Sequence, residues 1–157
     1  MDAGLEERVN RAVAYFMKGY GCGQSVVAAF ADIYGYTEAQ ALQIGAGFGG
    51  GVGRLRMTCG AVSGLVILAG MDCGNYDGAD RNGKSECYKL VQELIAQFKE
   101  ENGSVICAEL LGLNGPAAAG HFMPAERNAE YYKKRPCAAK VESAARIYAR
   151  MLDERKH

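Results

Sequence analysis

The chain has 157 residues, which is one domain's worth of length and enough to bury ~68–70% of its unfolded surface without disulfides or a metal. Its 49% hydrophobic and 23% charged residues are those of a globular chain and exclude a disordered one. Lys+Arg and Asp+Glu are 18 each, so there is no net basic field of the kind a nucleic-acid or membrane-surface binder needs.

Apolar residues recur at helical spacing along most of the chain. Leu5, Val9, Val13 and Phe16 form one stripe that ends at Gly19-Tyr20-Gly21. Val26, Val27, Phe30 and Ile33 form a second, stopped by Gly35, and Thr37 is placed to cap a short helix through Ile44. After the glycine-dense stretch 45–53, Thr58 is placed to cap a helix through Ala69. That helix is apolar on all sides and is therefore expected at the centre.

Met71 to Lys84 has loop composition. Cys87, Leu90, Val91, Leu94, Ile95 and Phe98 make an amphipathic helix that stops near Asn102-Gly103, and Ser104 opens a short helix through Leu111. Leu113 to Glu126, with Gly115-Pro116 and Pro124, reads as irregular. Pro136 suits the first turn of a last helix with Val141, Ala144, Ala145, Tyr148 and Leu152 on its stripe. No period-2 alternation occurs. The expected fold is an all-α, single-domain bundle of about six or seven helices spanning residues 1–157.

The opening MDAGLEERVN lacks the basic and apolar regions of a signal peptide, and the longest apolar run, 61–71, is broken by Ser63, Gly64 and Gly70. The expectation is a cytoplasmic protein without membrane insertion, its thiols reduced. Six cysteines in such a chain point to metal or redox chemistry before structural bridges.

Four of them share a placement. Cys22 follows a Gly-rich break and opens a helix, Cys59 follows Thr58, Cys107 lies just after Ser104, and Cys137 follows Pro136. Unpaired N–H groups at helix starts favour a thiolate over a thiol. Each also lies on its helix's apolar stripe, so the four are expected to point inward and converge. The plain alternative is that free cysteine is a small hydrophobe often found in cores. That alternative is taken for Cys87, mid-helix beside Val91 and Leu94, and no role is assigned to Cys73 in its loop.

Other motifs carry less. No C-x-x-C occurs, so neither a zinc ribbon nor a thioredoxin-type dithiol is written locally. Gly45, Gly47 and Gly50 fit G-x-G-x-x-G, and residues 78–85 fit G-x-x-x-x-G-K-[ST], but neither follows a strand, so neither is read as a phosphate loop. His121, the only internal histidine, would have to supply any Cys–His catalytic pair. The glycines Gly51, Gly53, Gly60 and Gly64 are better read as backbone supporting the Cys59 region, through N–H donors or close helix packing.

The segment Gly51-Val52-Gly53-Arg54-Leu55-Arg56-Met57-Thr58-Cys59-Gly60-Ala61-Val62-Ser63-Gly64 resembles the CGAxxG signature of the redox-active C_GCAxxG_C_C family. Cys22 in Gly21-Cys22-Gly23-Gln24, Cys107 before Glu109-Leu110-Leu111, and Cys137 in Arg135-Pro136-Cys137 look like its other three cysteines. The resemblance implies a redox-active protein. Similar domains occur fused to multihaem cytochromes, where an iron–sulfur cluster is assigned, and family members are often encoded near transporter genes.

Three functions compete, in descending order. The first is electron transfer through an iron–sulfur cluster, [2Fe–2S] for preference, held by Cys22, Cys59, Cys107 and Cys137. The second is a metal-free thiol–disulfide couple. The third is a structural zinc site with all four cysteines as its ligands. Whether the protein is an enzyme, and which redox partner it meets, is not written in the sequence; a homodimer is compatible with it.

Overall fold

Asp2 begins the first helix by accepting the Leu5 N–H at 2.8 Å, and α1 runs from Ala3 to Met17 with Leu5, Val9, Ala12 and Phe16 buried. The computed structural model describes residues 1–113 and 121–156. After α1 come α2 (Cys22–Phe30), a 3₁₀ turn (Ala31–Tyr34), α3 (Glu38–Gly45) and a second 3₁₀ turn (Ala46–Phe48). The chain continues through α4 (Gly60–Cys73), α5 (Arg81–Asn102), α6 (Cys107–Leu110), α7 (Ala129–Lys134) and α8 (Cys137–Arg155). The all-α expectation holds, with eight helices and no strand among the described residues. The one extra helix is α7, which buries no side chain and so shows no apolar stripe.

The caps decide several boundaries. Thr37 caps α3 in a box with Gln40, at 3.1 and 2.9 Å. Thr58 does not cap α4; it pairs with Ile106 in an isolated antiparallel bridge, and Cys59 itself takes the N-cap position. Asp80 caps α5, so that helix starts at Arg81 and absorbs part of the stretch expected to be loop. α4 likewise runs on to Cys73. Its last turn is pinned from outside: Asp72 accepts from Arg155 on both oxygens at 2.8 Å and from the Tyr34 hydroxyl at 2.9 Å. Ile33, expected on a buried stripe, is 43% exposed because the 3₁₀ turn rotates it outward. Gly115-Pro116 lies outside the described residues.

The core is continuous. α4 packs against α2, α5 and α8, and α1 packs against α2 and α8. Val62, Leu65, Leu68 and Ala69 of α4 are fully buried with Phe30, Phe98, Ile147 and Tyr148. Tyr148 keeps its hydroxyl satisfied by donating to the Leu68 carbonyl at 3.1 Å, beside the Tyr34 hydroxyl. Among the described residues no helix is long and apolar enough to cross a membrane.

α2 and α4 approach closely at Gly64, where an added Cβ would stand 2.8 Å from Val26 Cβ. Gly70, six residues on, is exposed and has nothing within 4 Å of such an atom. Gly64→Ala should therefore lower stability by about 1–3 kcal/mol through overpacking. Gly70→Ala should raise it by about 0.4–1 kcal/mol by removing unfolded-state freedom. Urea unfolding followed by far-UV circular dichroism checks both, and equal effects of the same sign would refute the role given to packing at Gly64.

Candidate functional site

Cys22, Cys59, Cys107 and Cys137 all line one open cavity of about 540 Å³. Cys22 is the first residue of α2, Cys59 the N-cap of α4, Cys107 the first residue of the four-residue α6, and Cys137 the first residue of α8 behind Pro136. Backbone pairing on either side of the Thr58–Ile106 bridge sets two of them: the Cys59 N–H donates to Val105 O at 2.7 Å and the Cys107 N–H to Met57 O at 2.6 Å. Cys59 and Cys107 are buried, whereas Cys22 and Cys137 are half-buried. Cys73 and Cys87 do not line the cavity. Neither does His121, which is exposed and accepts the Met123 N–H on Nδ1.

Cys22 and Cys137 influence each other's titration as neighbours on this cavity, Cys22 donating toward the Cys137 sulfur. That donation holds Cys137 down at about 7 against the effect of burial, helped by Arg135, Arg127 and Arg56. The same donation, followed by burial, pushes the Cys22 thiol well above its ordinary value. Burial likewise pushes Cys59 up to about 11, although the N–H groups of Ala61 and Val62 pull the other way. The thiolate expected at helix starts is therefore favoured at Cys137 and not at Cys59 or Cys22. At Cys59 desolvation outweighs the helix terminus; at Cys22 the proton is retained for its neighbour.

The glycine segment shapes the cavity wall. Gly50, Gly51, Val52, Gly53 and Arg54 all have φ between 57° and 74°, a run of left-handed backbone, and Arg56 returns to it at 61°. Backbone bonds hold the coil: Gly53 N–H to Gly47 O at 2.9 Å, Arg54 to Gly49 and Arg56 to Gly50 both at 3.1 Å, and Met57 to Gly51 at 2.9 Å. Gly51 could not be another residue here, because a Cβ would lie 2.6 Å from Cys107 Cβ. Gly53 faces open space, while at Gly60 a Cβ would stand 2.8 Å from Phe48 O and 3.1 Å from Cys22 Cβ. Left-handed backbone at the non-glycine positions Val52, Arg54 and Arg56 costs roughly 1–2 kcal/mol each, strain of the sort that gathers at working sites.

What that strain holds in place is positive charge. Arg54, Arg56, Arg127, Arg135 and Lys140 line the cavity, no Asp or Glu does, and none of the five forms an ion pair among the described residues. Arg54 donates to the carbonyls of His121 (2.9 Å) and Met123, tying that segment over the cavity. Arg127 donates to Phe16 O at 2.9 Å and Tyr20 O at 3.1 Å and lies 4.3 Å from the Phe16 ring centroid. Arg56 donates toward Cys107 Sγ at 3.7 Å, and its buried Nε has no acceptor among the described residues. Burial, and then the neighbouring Arg56 and Arg135, holds Arg54 below its ordinary value, a mark of cations crowded without counter-charge.

The cationic wall was not read from the sequence. A signal for most of it exists: Arg54 and Arg56 precede Cys59 within five residues, Arg135 precedes Cys137 by two, and Lys140 follows it by one helical turn. Arg127 carries no such signal.

Four thiols are a suitable donor set for an iron–sulfur cluster, which spreads four thiolates over two irons. No group of three or more Cys, His, Asp or Glu side chains among the described residues is gathered tightly enough for a single metal ion. The curated proteins and the solved structures compared with the chain gave no match. The resemblance carried by the four cysteines does hold over most of the length: the family model described as "Putative redox-active protein (C_GCAxxG_C_C)" matches residues 20–151, and the chain belongs to this redox-active family.

Proposed function

We propose that the protein carries electrons as a dithiol–disulfide couple of Cys137 and Cys22. What supports this most is that Cys22 and Cys137 each open a helix onto one open cavity among five cations, with Cys22 donating toward the Cys137 sulfur. The Cys137 thiolate attacks one sulfur of a substrate disulfide and forms a mixed disulfide, while the other substrate sulfur leaves and takes up a proton. Cys22 then loses its proton and attacks the Cys137 sulfur. The Cys22–Cys137 disulfide closes, and the second substrate sulfur leaves as a thiol. The protein gives up two electrons and the Cys22 proton, and the substrate disulfide, taking a second proton from solvent, becomes two thiols. An external dithiol would restore the reduced pair.

The surrounding cations favour the thiolate and draw in an anionic substrate. Cys59 and Cys107 take no part in this exchange: Cys59 keeps its proton at neutral pH, and Cys107 is buried beside Arg56.

A second reading is an iron–sulfur cluster held by Cys22, Cys59, Cys107 and Cys137. The observation favouring it is that all four thiols line the same cavity opposite five cations, which would offset a cluster's negative charge. Such a group would supply one-electron transfer when bound. An anaerobic visible spectrum with iron and zinc counted on the same sample separates the readings. Iron with charge-transfer bands supports the cluster; a colourless, iron-free protein with two exchangeable electrons supports the dithiol.

Turnover of oxidised glutathione with a dithiol reductant should fall by at least ~100-fold in Cys137→Ser, since the nucleophile is lost. Cys22→Ser should stall after the first step and accumulate a glutathione adduct at Cys137, visible by intact mass. Unimpaired turnover in Cys22→Ser sinks the dithiol reading. Under the same conditions kcat/KM for oxidised glutathione should exceed that for uncharged hydroxyethyl disulfide by ~10-fold or more at low salt, a gap that closes as ionic strength rises. A salt-independent ratio would show the cations play no part.

Iodoacetamide should label Cys137 before Cys22, Cys59 and Cys107. Its rate should climb as pH rises through about 7, where the thiolate forms, while Cys59, pushed up to about 11, stays slow until far more alkaline solution. Timed quenching with mass spectrometry reads the order.

A further inference from the structure

The five cations of the cavity differ in what their donors already do. Arg127 spends its guanidinium on Phe16 O, Tyr20 O and the Tyr132 hydroxyl, and Lys140 donates to Asn102 Oδ1 at 3.0 Å. Both are fastened to the wall. Arg54, Arg56 and Arg135 keep donors in hand. Arg54 uses only Nη1, for the His121 and Met123 carbonyls, and Arg56 reaches only Cys107 Sγ with its Nη1. Arg56 Nε is buried with no acceptor among the described residues. Arg135 lies 5.6 Å from the Tyr131 ring centroid and donates to no acceptor among them. A buried donor left without an acceptor is costly, and here it stands in the wall of an open cavity where an outside acceptor can reach.

The chain supplies no counter-charge of its own. No carboxylate lines the cavity, and residues 114–120 contain no Asp or Glu. Burial, and then Arg56 and Arg135, holds Arg54 below its ordinary value, a crowding that a bound anion relieves. α2 and α8 also begin on the cavity, at Cys22 and Cys137, and helix starts favour negative charge.

Charge and oxygen count select the anion. A carboxylate brings one charge and two oxygens, too few for three guanidiniums. A phosphate group brings close to two charges near neutral pH and at least three acceptor oxygens, which suit forked donors arriving from several directions. The coil's N–H groups at Gly53, Arg54, Arg56 and Met57 are spent on backbone carbonyls, so recognition falls to the side chains. The hollow of about 540 Å³ has the size of a small-molecule site, and Leu110, Leu111, Phe122 and Pro124 give it an apolar wall for an organic body.

We infer that Arg54, Arg56 and Arg135 form a phosphate-binding site in the cavity, taking free phosphate or a small phosphate monoester. Binding is by ion pairing and hydrogen bonding, and no covalent bond forms or breaks. The site therefore does not rest on the dithiol reading, and a binding measurement tests it apart from any turnover.

Calorimetric titration of the full chain near neutral pH and at low salt is the experiment, with inorganic phosphate, phenyl phosphate and benzoate as probes. One phosphate or phenyl phosphate should bind per chain, at least ~10-fold more tightly than benzoate, as a second charge and a third oxygen would give. Tighter binding of phenyl phosphate identifies a monoester as the ligand, and affinity no better than that of inorganic phosphate identifies the free ion. Arg135→Gln should weaken phosphate by ~10-fold or more, the loss of one charge-assisted contact. Arg56→Lys keeps the charge but loses Nε–H and the planar fork, and should weaken it as well. Lys99→Gln removes the same charge from an exposed position on α5 outside the cavity and should change affinity by less than ~2-fold. Far-UV circular dichroism establishes that each variant is folded; should Arg56→Lys lose helix, Arg135→Gln carries the test. Absence of saturable phosphate binding would overturn the inference. So would benzoate binding as tightly as phosphate, or equal losses in Lys99→Gln and Arg135→Gln.

Discussion

The site depends on how closely two helix starts approach one another. α2 and α4 meet backbone to side chain at Gly60 and Gly64, with no room for a methyl group on either. Only at that separation do Cys22 and Cys59 open onto the same hollow. Protein interiors fill space densely, so a contact this tight is a fixed distance and not a loose preference. The connection between α3 and α4 must then return to Cys59 through a narrow volume. It does so as a left-handed coil, whose far side presses Gly51 against Cys107.

Neutral net charge conceals an uneven field. The ion pairs, such as Arg8–Asp32, Arg146–Glu6 and Arg155–Asp72, are distributed over the outer helix faces. The cavity takes five cations and no carboxylate. In a partly desolvated hollow those charges act at reduced dielectric, so they influence a thiolate more than the same residues would on an open surface. Attachment to neutral carbonyls holds Arg54 and Arg127 in position without cancelling their charge.

Much of this was legible from the residues. The apolar periodicity of α1, α5 and α8, the all-round apolarity of α4 and the Gly stops after α1 and α5 are local signals, and local signals set helices. The cysteines at helix starts could be read because Gly21, Thr58 and Pro136 mark those starts. The remainder was settled by partners distant in sequence. Cys73 reads as loop because Gly70, Met71 and Asp72 lead into a Gly- and Asp-rich stretch, yet Arg155, more than eighty positions away, holds that turn in place. The thiol order is equally invisible, since it is set by burial at Cys59 and by Cys22 donating toward Cys137, and neither is encoded in nearby residues.

The left-handed coil has a consequence for the molecule's chirality. Positive φ is strained for an L-residue because its Cβ approaches the following carbonyl; the mirror-image amino acid has its natural helical minimum there. At Val52, Arg54 and Arg56 the fold therefore asks L-residues to adopt the conformation of their enantiomers. In a chemically synthesised chain, D-valine at position 52 would sit in its own preferred basin. This short stretch is one where reversing the handedness of the building block would suit the backbone better than the block the ribosome supplies.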